Sequence, residues 1–178
     1  MMSGGGFLAV SLFQTRHSTR DLDYILDPAF DKVKKIHTKL AKAIATVAKD
    51  QGWPKDWLND SMQVFTAGNA KLELFQASVS QGEVLWQSRN IIIYAIQWEW
   101  QLDHKLKRIT TENQPRETDF SDAVELLHRI VKKNNGPVRR ETVKSWNTNI
   151  FTPVSDGVIT DIAGRYIERF DELGICEN

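Results

Sequence analysis

Apolar residues follow two patterns along this chain. In the first part they come in short runs broken by glycine, proline or asparagine, and further on they recur at helical spacing. Residues 22–27 (Leu-Asp-Tyr-Ile-Leu-Asp) read as a strand that Pro28 stops, because proline cannot donate to a ladder. Residues 62–66, 71–78 and 83–88 read as three more strands, with Ala67-Gly68-Asn69 and Gln81-Gly82 as turns. Val33, Ile36, Leu40, Ile44 and Val47 are spaced by three and four, which predicts an amphipathic helix over 29–49. Gln51-Gly52-Trp53-Pro54 ends it, and Trp53 and Trp57 are expected to cover an edge of the core.

Residues 91–109 read as a long helix with Tyr94, Trp98 and Leu102 on one face. A polar loop runs through Pro115. Asp119 or Ser121 then caps a helix that reaches about Lys133, and Asn134-Asn135-Gly136-Pro137 closes it. Shorter helices are expected near 140–147 and 156–172. Residues 7–13 are strand-like by composition. Strands followed by helices predict an α+β fold: a small mixed β-sheet core with flanking helices over 1–90, and a helical C-terminal part over 91–178 packed on it.

Composition narrows the function classes. The 178 residues carry no formal net charge, so no global field draws in nucleic acid. Lys32, Lys34, Lys35, Lys39 and Lys42 occupy the polar faces of the 29–49 helix, as a solvated face or as a nucleic-acid stripe. Cys176 is the single cysteine, which excludes an internal disulfide framework and a cysteine-based zinc site. No run is long enough to span a bilayer, and the charged-then-apolar layout of a signal peptide is absent. These features predict a cytoplasmic chain with no membrane partner.

The densest chemistry lies near the start: Gly4-Gly5-Gly6, an apolar segment, then Arg16-His17-Ser18-Thr19-Arg20-Asp21-Leu22-Asp23. Residues two apart on a strand point to the same side, so Asp21 and Asp23 present two carboxylates to one small volume. Such a pair repels itself unless a cation joins it or one member is protonated. Mg²⁺ suits one or two carboxylates completed by phosphates and water. Glycines upstream expose backbone N–H groups that suit phosphate oxygens. Arg16 and Arg20 flank the pair, either as phosphate donors or as simple charge compensation.

This combination resembles the nucleotidyltransferase superfamily of DNA polymerase β, and within it the minimal abortive-infection-type toxins. A downstream pattern resembles it too: a helix carrying Lys105-Leu106-Lys107-Arg108, then Asp119-Phe-Ser-Asp122-Ala-Val-Glu-Leu-Leu127. The resemblance implies that 7–13 are a short helix after the glycine turn. It implies that Gly5 and Gly6 hold the triphosphate, and that two Mg²⁺ ions sit on Asp21, Asp23 and a third acid from a later strand. Glu73, flanked by Leu72 and Leu74, is the candidate third acid, and reads equally as a solvent-facing residue. Arg16, Ser18 and Lys105 would assist with the phosphates. Asp119 and Asp122 would orient the lysine, or Asp119 would only cap its helix. The implied activity moves a nucleotidyl group from a nucleoside triphosphate to a hydroxyl on a protein, a small molecule or RNA. The competing readings are a nucleotide-binding module without turnover and an interaction module using Trp86, Trp98 and Trp100.

Overall fold

The computed structural model describes residues 1–66, 68–147 and 152–177. They form two compact units, Met1–Gln97 and Trp98–Asn178.

The first unit is built on a mixed sheet of five strands: β1 (Met2–Ser3), β2 (Leu22–Ile25), β3 (Leu58–Asn59), β4 (Val84–Gln87) and β5 (Ile92–Ala95). Their order is β3-β2-β1-β5-β4. The two-residue β1 is the middle strand. It runs antiparallel to β2 and parallel to β5, so Met2 faces Ile25 on one side and Tyr94 on the other. Met2, Ile25 and Ala95 are fully buried there. β1 leads through Gly4 into α1 (Gly5–Leu8), which continues as a π-helical turn over Ala9–Phe13. Residues 7–13 are therefore helical, as the resemblance implies, and their strand-like composition reflects burial of Leu8 and Ala9.

Two strand expectations give way, while that at 83–88 stands as β4. Residues Ser61–Phe65 form a 3₁₀ turn, and α3 (Asn69–Gln81) occupies the place of the 71–78 strand. The inward residues of α3 are Lys71, Leu74, Phe75 and Ser78, a helical spacing, while Leu72 is 44% exposed. A strand would have needed Leu72 and Leu74 on one buried face. Conversely, Ile92–Ala95 is strand, and the long helix begins only at Trp98. A continuous β-branched run reads equally as a buried strand or a buried helix. Here it pairs with β1 and β4 and buries Ile93.

Helix α2 (Lys34–Gln51) carries the lysines outward, and Gly52 ends it in the left-handed region at φ 66°, where glycine is favoured.

The second unit is helical: α4 (Trp98–Thr111), α5 (Glu117–Asn134), α6 (Arg140–Ser145) and α7 (Asp156–Phe170). Helices α4, α5 and α7 pack on one another through Leu102, Leu106, Leu127, Ile130, Ile159 and Ile162. The residue preceding α5 is Arg116, without a side-chain cap; Asp119 lies within its first turn. A short parallel pair, β6 (Val138–Arg139) and β7 (Ile175–Cys176), closes the end of the chain. Gly174 precedes it, because a Cβ there would lie 2.6 Å from the Tyr166 ring.

Candidate functional site

In the first unit, the glycine turn and the acidic strand are packed face to face. Gly5 adopts φ +59°, and a Cβ on it would lie 3.8 Å from Asp23 Oδ2. A Cβ on Gly6 would overlap the Thr19 hydroxyl and lie 3.0 Å from Thr19 Cβ, with Arg16 Nη1 3.9 Å away. The backbone of 5–6 thus reaches the carboxylate strand because it carries no side chains. These residues open α1, and the first N–H groups of a helix have no partner within it.

The segment before β2 is held in place by its own hydrogen bonds. Thr19 Oγ1 donates to the Asp21 carbonyl at 3.0 Å, and Ser3 Oγ donates to the Asp23 carbonyl at 2.6 Å. Ser61, 38 positions downstream, donates from Oγ to Asp23 Oδ1 at 2.9 Å. Strand β3 brings it there: Leu58 and Asn59 pair with Leu22 and Asp23, and Leu22 N–H donates to the Trp57 carbonyl at 2.7 Å. Asp21 is pushed above the usual carboxylate range, first by burial, then by the charge on Asp23, with Asp56 adding to it and Arg20 opposing. Asp21 lies one residue before β2 and Asp23 within it, near enough for the charge on Asp23 to raise the Asp21 carboxyl.

Glu73 does not join them from a strand. It lies on the exposed side of α3. Among the described residues, no three acidic, histidine or cysteine side chains converge as a metal-binding group. Ser18 and His17 are exposed in the loop that approaches the pair.

The second unit holds its own polar centre. Lys105, 4% exposed, donates to Asp119 Oδ1 at 2.7 Å and to Asp122 Oδ2 at 2.6 Å. Arg108 adds a hydrogen bond to Asp119 Oδ1. Burial alone would raise the Asp119 carboxyl, but the hydrogen bonds and charges of Lys105 and Arg108 outweigh it and hold it below its ordinary value. Lys107 is tied to Asp103 at 2.5 Å instead, so Lys105 is the lysine that meets Asp119 and Asp122.

The structure thus brings together Gly5, Gly6, Arg16, Asp21 and Asp23 in one unit, and Lys105, Asp119 and Asp122 in the other. Sequence reasoning missed Thr19 as the side chain that excludes a Cβ from Gly6, though it stood in the motif. It also missed Ser61, which no local pattern marks.

A family model described as "Domain of unknown function (DUF7582)" matches residues 8–173. The chain belongs to this family. The DUF7582 match includes both carboxylates of the first unit and the Lys105, Asp119 and Asp122 set of the second. No curated protein and no solved structure matches the chain. Among the described residues, no helix is long and apolar enough to cross a membrane.

Proposed function

We propose that the first unit is a nucleotidyltransferase centre, which binds a nucleoside triphosphate with Mg²⁺ and passes its nucleotidyl group to an acceptor hydroxyl. The observation that carries this reading is the close fit of the Gly5-Gly6 backbone against the Asp21–Asp23 segment. That fit sets uncrowded backbone beside the Asp23 carboxylate and the Arg16 fork, with Asp21 two residues before Asp23.

The donor set suits Mg²⁺, a hard cation that takes one or two carboxylates and completes its shell with phosphates and water. Asp21 and Asp23 would hold it. It would supply charge neutralisation on the triphosphate and a lowered pKa for the acceptor hydroxyl. Gly5 and Gly6 bind phosphate oxygens through their backbone, and the Arg16 fork, close to Gly6, donates to the same group. Ser61 fixes the orientation of Asp23. In the reaction, the acceptor oxygen bonds to the α-phosphorus as the bond to the bridging oxygen breaks. Pyrophosphate leaves with that electron pair, and the hydroxyl proton passes to solvent.

A second reading is favoured because, among the described residues, no third acid converges on the pair to complete a metal-binding group: a module that binds Mg²⁺–nucleotide without turnover. Isothermal titration of ATP, GTP, CTP and UTP, with and without Mg²⁺, tests both on the wild type and on Asp21→Asn/Asp23→Asn. The expected result is Mg²⁺-dependent binding that the double variant loses. No binding by the folded wild type overturns both readings. Binding without pyrophosphate release across an acceptor screen favours the second.

A further inference from the structure

Helix α2 leaves its apolar stripe unfinished. Ile36, Leu40, Ile44 and Val47 share one face, yet each stays half-buried. Beside Leu40 and Ile44 lies a groove of about 690 Å³, within the range of small-molecule sites, roughly 300–1,000 Å³. Its helical wall combines Leu40 and Ile44 with the small residues Ala41, Ala45 and Ala48, which keep it open. Its other wall is Tyr24 of β2 with Trp53 and Leu58. This wall is held at a fixed distance from the helix: Trp57 Nε1 donates to the Ile44 carbonyl at 3.2 Å, and Trp53 N–H to the Ala48 carbonyl at 2.9 Å. Trp53 packs edge-on to Trp57 and remains 50% exposed, so its ring does not fill the space.

One end of the groove adjoins the carboxylate pair. Asn59 and Asp60 line it, Asn59 is the register partner of Asp23, and the next residue, Ser61, bonds Asp23. The formal charges in the lining cancel, Lys49 and Lys55 against Asp56 and Asp60 with His37 neutral, while Asp56 acts on Asp21 and Asn59 pairs with Asp23. An anion that brings no metal ion with it is repelled at that end. A neutral or cationic molecule is not.

We propose that this groove binds a neutral or cationic amphipathic small molecule, its apolar body between Ile44 and Trp53 and a hydroxyl at the Asn59 end. That this hydroxyl is the acceptor of the nucleotidyl group rests on the reading above; the binding itself does not.

The test is amide and indole NMR of the full chain, titrated with probes that share one ring: N-benzylethanolamine, a cation; 3-phenylpropan-1-ol, neutral; and 3-phenylpropanoate, an anion. The expected result is saturable shifts confined to α2, Tyr24 and residues 53–60, including the Trp53 indole, with the anion weaker than the cation by about tenfold. Ala45→Trp and, separately, Ala41→Phe fill the groove from the helical wall. Each is expected to weaken the cation by about tenfold or more while the thermal midpoint holds. Shifts elsewhere, an anion that binds as well as the cation, or binding that survives both filled variants overturns the proposal. Groove binding without Mg²⁺–nucleotide binding overturns the transferase reading alone. Nucleotide binding without groove binding overturns the groove alone.

Discussion

Thr19 and Gly6 exclude each other's growth: any Cβ at Gly6 would overlap the Thr19 hydroxyl. Gly6→Ala is therefore expected to destabilise the first unit by ~1–3 kcal/mol, the usual range for overpacking. It should also weaken nucleotide binding, because the turn must back away from the carboxylates. Thr19→Gly in the same chain removes the obstructing side chain and should restore part of both losses. Chemical denaturation and nucleotide titration of the two variants check this. An unchanged Gly6→Ala protein would mean that the turn has slack.

Asp21 is expected to oppose folding at neutral pH. Its folded-state pKa is raised, so the folded protein holds this proton more tightly than the unfolded chain does. The stabilisation is complete below the unfolded value near 3.8 and is lost as pH rises through the folded one. In EDTA, Asp21→Asn should then melt higher than wild type at pH 7, and the difference should close below about pH 4. Melting curves across that range read it directly.

Lys105 is buried between two carboxylates, so Lys105→Met removes the cation that both share and leaves Arg108 as the cation on Asp119. The expected loss is ~3–5 kcal/mol in urea unfolding. Adding Asp119→Asn and Asp122→Asn should recover most of it, since no bare charge remains. The pH dependence of wild type has the opposite sign to that of Asp21. The Asp119 pKa is depressed, so its contribution is present above the unfolded value near 3.8 and is lost as pH falls through the folded one. Unfolding of wild type and Asp119→Asn from pH 7 down to pH 2 separates this acid branch.

Gly174→Ala places a methyl 2.6 Å from the Tyr166 ring and 2.9 Å from Leu127 Cδ2. Both neighbours are fully buried and neither can swing away. A loss of ~1–3 kcal/mol is expected, measured by denaturant unfolding.

Much of this architecture was legible in the sequence because one period dominated each segment. Ile36, Leu40 and Ile44 marked α2, and the polar loop through Pro115 with Asn134-Asn135-Gly136-Pro137 bracketed α5. Failures came where two periods fitted the same residues. Leu72-Glu73-Leu74 alternates like a strand, but Leu74, Phe75 and Ser78 make the helical face that is buried. Ile91–Ile96 is apolar throughout and has no period at all, so tertiary pairing decided it. The glycines and Asp21–Asp23 could be placed together because their approach is local. Ser61 and the groove under α2 arise from β3, a strand of two residues whose own sequence carries no signal.

The middle strand of the first sheet has consequences for the order of assembly. Beside β1, the Met1 amino group donates to the Ile92 carbonyl, 91 positions along the chain. A growing chain can align β1 with β2 early, and can form the glycine turn against Asp23 with it. The other edge of β1 stays open until β5 has emerged, and such long-range closure is slow. During synthesis the carboxylate pair therefore exists on an unfinished sheet, and it gains its final rigidity only when nearly the whole first unit has been made.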